Sequence, residues 1–266
     1  MTIDGAYTIV TGASSGLGAA AARALAAKGA HALLLARSKD KLIKIEKEII
    51  MAGGKANAFA VDLSKPPETA RVCKKILKEF GAPDIIINNA GFGEWRSIEN
   101  TTPAENVEMM SVPYFAAFNV THAFIAGMLE RNSGHIVNIT SPASEFPIAG
   151  AVSYSVARWA MRGFNEALWA DLYDTKIGVS LYSPGKISSE YFQNNPGSEE
   201  KIPALSKLAR TITPEEGARD IIKCIEKNKR MLVTPFMMKF FYVNRRYFRG
   251  LTDYLVMKTA WRRQRK

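Results

Sequence analysis

Three side chains in the middle of the chain, Ser141, Tyr154 and Arg158, have the types and spacing for proton transfer to an oxygen atom. Tyr154 and Arg158 are four residues apart in the stretch Ser153 to Asp174, which reads as a helix, so their side chains share a face. A phenol ionises at about pH 10 and exchanges protons poorly at neutrality, and a fixed cation beside it favours the phenolate. Ser141 follows the apolar run His135 to Thr140 and stands where a hydroxyl can hydrogen-bond a carbonyl oxygen. The three together would protonate a ketone as hydride arrives, or run the reverse. Taken alone, a Tyr and an Arg at this spacing would be an ordinary surface pair, so the reading depends on what accompanies them.

A glycine-rich turn accompanies them. Thr11-Gly12-Ala13-Ser14-Ser15-Gly16-Leu17-Gly18 follows the first apolar run and opens a helix. Glycines at 12, 16 and 18 allow a tight turn, a close backbone approach to a pyrophosphate and close helix packing, while the helix start offers N–H groups to the anion. A plain helix-start turn capped by serine is the bland alternative, weakened by its place after strand one. The second apolar run ends Ala36-Arg37-Ser38 with no acid to accept bonds from a ribose 2′-OH, so Arg37 points to a 2′-phosphate and to NADP(H), unless it is a solvated surface residue. Asp62-Leu63 closes the third run, where the carboxylate would meet the adenine amino group. Asn88-Asn89-Ala90-Gly91 closes the fourth and leaves room for a ligand, although turn chemistry alone would also explain it.

The elements that must hold these residues alternate. Ala6 to Thr11, Ala32 to Ala36, Ala56 to Val61, Asp84 to Asn88, His135 to Thr140 and Ile177 to Ser183 read as buried strands, with a last one at Arg230 to Thr234. Gly16 to Lys28, Asp40 to Ala52, Pro67 to Phe80, Pro103 to Glu130 and Ser153 to Asp174 read as helices. This predicts an α/β fold: one Rossmann-type doubly wound domain over residues 1–235, with a seven-stranded, mostly parallel sheet, helices on both faces and a helical C-terminal extension over 236–266. Gln193 to Thr213 reads as a loop or lid over the site. The 266 residues, 47% hydrophobic and 23% charged, exclude a disordered or low-complexity chain. Cys73 and Cys224 are too few for a disulfide framework, no Cys/His spacing suggests zinc, and no metal is expected. The N-terminus has no signal-peptide pattern and no run of apolar residues is long enough to span a bilayer, so a cytoplasmic location is expected.

In order, TGASSGLG, NNAG, the Ser141 to Tyr154 spacing and Ser183-Pro184-Gly185-Lys186-Ile187-Ser188-Ser189 closely resemble the short-chain dehydrogenase/reductase family over residues 5 to 235. The resemblance implies nicotinamide-dependent ketone/alcohol chemistry, Tyr154 as acid/base, Ser141 orienting the carbonyl, and Pro184, Gly185, Ile187 and Ser189 against the nicotinamide. It also implies a dimer or tetramer. Two positions depart from the family pattern. Its Tyr-x-x-x-Lys reads Tyr154-x-x-x-Arg158 here, and its helix Asn falls on Pro113. Arg keeps the charge but is bulkier, planar and unable to release a proton. Pro cannot replace the Asn side chain and also removes a backbone donor. Two readings follow: an active NADP(H)-dependent oxidoreductase, or a catalytically impaired nucleotide-binding protein that acts as a sensor or interaction module.

The net charge of +11 is unevenly placed, since residues 231–266 carry +8 of it. In that tail Phe240, Val243, Tyr247, Leu251, Tyr254 and Trp261 recur at near-helical steps, with arginines mostly between them. Such a basic amphipathic pattern packs on the body, on a second subunit, or at an anionic membrane surface as a peripheral anchor. Nucleic acid is the weakest option, because the basic residues are interleaved with apolar ones and no nucleic-acid module is present. Phe92, Trp95, Phe146, Pro147, Tyr191, Phe192 and the Met237-Met238 pair would line a greasy pocket, pointing to a lipophilic ketone or alcohol such as a 3-oxoacyl lipid, a sphingoid ketone or a steroid.

Overall fold

Alternation inside each strand decides how the sheet is covered. In the computed structural model, which describes residues 1–193 and 195–263, Ile9 of strand β1 (Tyr7–Thr11) packs to one side and Val10 to the other. Leu33 and Leu35 of β2 (His31–Ala36) likewise oppose Leu34, and Ile86 of β4 (Ile85–Asn88) opposes Ile85 and Ile87. All these side chains are fully buried, each stabilising the fold by about 1.5–3 kcal/mol, so the strands must be sandwiched between two helical layers. With β3 (Lys55–Ala60), β5 (Gly134–Ile139), β6 (Ile177–Pro184) and β7 (Met231–Thr234) they form a seven-stranded sheet of order β3-β2-β1-β4-β5-β6-β7, every pair parallel.

Helices α1 (Gly16–Ala26), α2 (Lys39–Met51) and α7 (Pro214–Glu226) cover one face. The other face carries α3 (Pro66–Phe80), α5 (Ala116–Glu130) and α6 (Val152–Asp171). Helix α7 has no counterpart among the helices read from the sequence. Its signal is there in Thr213 and Glu216, which cap each other's backbone N–H groups around Pro214 at the first helical position.

The stretch Pro103 to Glu130 differs from the single helix expected. Helix α4 (Pro103–Met110) gives way to one π-helical turn, Ser111–Phe115, before α5 begins. Pro113 lies in that turn. It has no N–H to donate and its ring crowds the preceding carbonyls, so the helical ladder widens there. By length and composition this run is apolar enough to cross a bilayer, unlike the expectation from the sequence, but Val120, Phe124 and Met128 of it are core residues against the sheet.

Beyond β7 the chain forms two helices instead of one run, α8 (Phe236–Tyr247) and α9 (Arg249–Lys258). They meet at Phe248, whose φ of −128° and ψ of 52° leave the helical region. The side chains that face the body are Met238, Tyr242, Arg245, Thr252 and Val256. Phe240, Val243, Tyr247, Leu251 and Tyr254, the stripe read from the sequence, lie on the outside, and only Trp261 turns inward, beside Gly150 and under Lys201. Two of the tail's cations are neutralised by the body, Arg245 by Glu145 and Arg263 by Glu99. Residues 264–266, at the end of the predicted extension, lie outside the described residues.

Candidate active site

A cleft of about 1190 Å³ opens at the carboxyl ends of the strands, across the point between β1 and β4 where strand order reverses. Gly12, Ser14, Ser15, Gly16 and Leu17 line one end of it. Gly12 has φ +68°, and a Cβ there would come 2.9 Å from the Ala90 backbone. Gly18 is not part of the wall. A Cβ on it would lie 2.3 Å from the Gly12 carbonyl oxygen and 2.5 Å from Asn89 Nδ2, so its bareness lets α1 sit against the strand ends. Helix α1 starts with no side-chain cap and no acid in its first turn, which leaves its leading N–H groups for an anion.

Thr11, which the sequence reading passed over, organises the neighbouring loop. Its hydroxyl accepts from the N–H groups of Asn89 and Ala90 at 3.0 and 2.9 Å and donates to the Ile87 carbonyl. The Asn89 amide returns a bond to the Thr11 carbonyl at 3.0 Å, so Asn89, Ala90 and Gly91 are fastened to the glycine loop along the cleft wall. Arg37, Asp62 and Leu63 line the far end. Burial pushes the Asp62 carboxyl up, but two hydrogen bonds from Ser64 and the nearby Arg37 and Lys65 hold it below the ordinary carboxylate range.

At the centre, the Tyr154 hydroxyl donates to Ser141 Oγ at 3.2 Å. Ser141 is fixed in turn by the Ala143 N–H, which donates to its Oγ at 3.1 Å. The Arg158 guanidinium sits over the Tyr154 ring at 5.0 Å and under Gly91, where a Cβ would meet it at 2.8 Å. Arg158 is only 7% exposed, yet no carboxylate pairs with it among the described residues and its Nε has no partner. A buried cation left open towards a cleft is costly unless a polar or anionic ligand completes it. That donor set, with the uncapped helix start, fits a nucleotide bearing hydroxyls and phosphates.

A buried chain of amides, also unread in the sequence, holds these parts in register. Asn88 Nδ2 donates to Asn138 Oδ1 at 2.9 Å and to Thr121 at 3.1 Å, and Asn138 Nδ2 donates to Asn165 Oδ1 at 3.0 Å. Strands β4 and β5 are thereby tied to α5 and to the helix that carries Tyr154 and Arg158. Thr140 adds a bond to the Arg158 carbonyl at 3.1 Å.

Pro184, Gly185, Ile187 and Ser189 lie opposite the glycine loop, with Ser189 close enough to Gly16 that a Cβ there would touch it at 3.4 Å. Beyond them the wall turns apolar with Phe92, Trp95, Phe146, Tyr191 and Phe192, joined by Met238, Phe241 and Val256 from the C-terminal helices. Pro147 and Met237 are not part of it. Trp95 stacks on Tyr154 with ring centroids 5.0 Å apart, and its Nε1 donates to the Tyr191 hydroxyl at 3.4 Å. Burial, with Tyr154 beside it, pushes the Tyr191 phenol above its ordinary range and keeps it protonated. Ile202, Leu205 and Ala209 close the top, from the segment expected as a lid.

The sequence pattern of the short chain dehydrogenase family matches residues 6–200. The chain belongs to this family. It is 31% identical over 268 residues to dehydrogenase/reductase SDR family member 7B of Mus musculus, covering 98% of this chain and 83% of that protein. A 3-ketodihydrosphingosine reductase of Bos taurus is 28% identical over 229 residues, covering 84% of this chain and 69% of the relative. Among solved structures, a metagenomic short-chain oxidoreductase in complex with NADP superposes with a TM-score of 0.74 at 30% identity, covering 88% of this chain and 98% of that one. A Burkholderia phymatum short-chain dehydrogenase/reductase in complex with NAD gives 0.83 at 21% identity, covering 94% and 96%, and shares the fold.

As a short-chain dehydrogenase, the chain is unusual at two places that the fold now locates. Arg158 stands where the resemblance implies Lys, stacked between the Tyr154 ring and Gly91. Pro113, where it implies Asn, is buried in the π turn and offers no donor. The two cysteines are packing residues on opposite faces of the sheet, and burial pushes both thiols up to about 12.

Proposed function

We propose that this short-chain dehydrogenase is an NADP(H)-dependent oxidoreductase that interconverts a ketone and a secondary alcohol on a lipophilic substrate, of the class of 3-oxoacyl lipids, sphingoid ketones or steroids. The observation that carries the reading is the Tyr154–Ser141 hydrogen bond of 3.2 Å at the point where the polar nucleotide half of the cleft meets its apolar half. The bound nicotinamide nucleotide supplies or accepts the hydride. Ser141 Oγ orients the carbonyl oxygen, and Tyr154 gives it the proton or takes it back. Charge that develops on the phenol oxygen is met by the Arg158 guanidinium across the ring, in a water-poor site. Arg158 itself does not release a proton, so the phenol is recharged from solvent by a rerouted water path.

Arg37 supports NADP(H). It lines the cleft at the end of β2, no acid stands between that strand and α2, and its charge reaches Asp62. Apolar side chains exposed on α5 and α6, among them Phe118, Val156 and Trp159, support a homodimer or homotetramer joined through those helices. Pro113 favours the second reading, nucleotide binding without turnover, because its ring has no amide side chain where the family pattern has Asn. NADPH oxidation against a panel of long-chain and cyclic ketones decides between them. Turnover of at least one lipophilic ketone is expected. Binding of NADPH without turnover across the panel, with Arg158→Lys restoring it, would assign the chain to the second reading.

A further inference from the structure

Helix α8 is apolar on two opposite sides. Met238, Phe241 and Tyr242 face the body and help to close the cleft, while Phe236, Phe240, Val243 and Tyr247, spaced four, three and four residues apart, make a straight stripe on the outside. Phe236 and Tyr247 are 79% and 72% exposed. Helix α9 continues the pattern, with Leu251, Tyr254 and Leu255 outside and Thr252 and Val256 inside. An exposed aromatic stripe of this length marks an interaction surface. Charge says with what. Lys239 and Arg246 border the stripe on α8, Arg249 and Lys258 are exposed on α9 and Arg262 just beyond it, whereas the one carboxylate of the two helices, Asp253, is turned in to Arg245 at 2.6 Å and also lies 3.6 Å from Arg249.

We propose that the outer face of α8 and α9 docks on the surface of an anionic lipid bilayer, with its aromatic side chains in the headgroup boundary and the flanking cations at the lipid charges. A second copy of the chain fits this face worse, since pairing it with itself would bring two cationic rims together. The docking rests on this surface and not on the catalytic reading. Given that reading, it also sets the apolar end of the cleft, walled by Met238, Phe241 and Val256, next to the bilayer, so that a lipid substrate enters without crossing water.

Flotation of the full chain with vesicles of phosphatidylcholine, alone or mixed with phosphatidylglycerol, tests the docking by binding and without turnover. Binding is expected only to the mixed vesicles and is expected to weaken with salt. The variant Phe240→Ser/Tyr247→Ser should lose at least tenfold in binding, and Lys239→Gln and Arg246→Gln about fivefold each, while NADPH binding and thermal midpoint stay unchanged. No binding to the anionic vesicles, or equal binding by the serine variant, would overturn the proposal. So would a dimer in solution that the serine variant splits while the wild type ignores lipid, an outcome that assigns the face to a second copy.

Discussion

The Tyr242 hydroxyl lies 2.7 Å from Ser183 Oγ, so the C-terminal helix α8 is hydrogen-bonded to the end of β6 where it leads into Pro184 and Gly185. One turn further along the same helix, Arg245 pairs with Glu145 at 3.1 Å, four residues after Ser141. A segment outside the matched family pattern thus braces two loops of the cleft, one after β6 and one after Ser141.

Removing one of these braces should show in stability and nucleotide affinity together. Tyr242→Phe leaves the buried Ser183 hydroxyl without its partner, at a cost of about 1–2 kcal/mol. Thermal denaturation should show a lower midpoint and NADPH titration a weaker Kd; a variant that melts like the wild type would mean that the bond contributes nothing.

Tyr154→Phe tests the proton donor itself. The ring, its stacking on Trp95 and the Arg158 contact all remain, and only the hydroxyl is gone. Turnover should fall by about 10²–10⁴ while NADPH affinity holds, in steady-state assays beside a binding titration. Unchanged turnover would move the acid/base role elsewhere, with the Tyr191 phenol next in line.

Arg158 should reveal itself in turnover more than in binding. Arg158→Met removes the cation that meets charge developing on the phenol, so kcat should fall by about 10²-fold at neutrality. Arg158→Lys keeps a charge and should keep most of the turnover. If the Met variant turned over like the wild type and only bound NADPH more weakly, the guanidinium would be a nucleotide ligand and nothing more.

Coenzyme preference should follow Arg37. Without this cation a 2′-phosphate loses a charge-assisted pair worth about 1.5–3 kcal/mol, so Arg37→Ala should weaken NADPH by roughly 10–100-fold and leave NADH nearly unchanged. Parallel titrations with the two coenzymes measure the ratio directly.

Acid stability should depend on a residue far from the chemistry. His135 is buried on β5 with its Nε2 at 2.8 Å from Ser180 Oγ, and burial pulls it down to about 4 from the ordinary 6.5. Between those values the unfolded chain binds a proton that the folded one refuses, so stability falls as the pH drops from 6.5 towards 4, by at most about 1.4 kcal/mol per pH unit. Melting temperatures of wild type and His135→Gln across that range should converge at low pH, and parallel curves would remove His135 as the cause.

What could be read without the structure was the part fixed by local chemistry. Strands such as Asp84 to Asn88 announce themselves because burial on both faces demands an unbroken apolar run, and the glycine loop because few other residues turn there. The π turn was hidden, because Pro113 signals trouble in a helix without saying whether the chain breaks, kinks or widens. Asn138 and Asn165 were hidden too. An Asn in the strand HIVNIT and another on a helix have no visible partner until the fold brings them to 3.0 Å. The tail's stripe was correctly seen as apolar but gave no direction, since a helix with two apolar faces has the same periodicity whichever one is inside.

The amide chain from Asn88 through Asn138 to Asn165 also divides the molecule by stiffness. Because these side chains span two strands and the helix that carries Tyr154, the distance from the Tyr154 hydroxyl to the end of β4 cannot adapt to a ligand without breaking buried bonds. Accommodation to substrates of different bulk must then come from residues 199–211 above the cleft, where only the short 3-10 turns Glu199–Lys201 and Ala204–Leu208 form. Amide exchange should be slow in β4, β5 and α6 and fast in that segment, and a bound substrate should slow it only there.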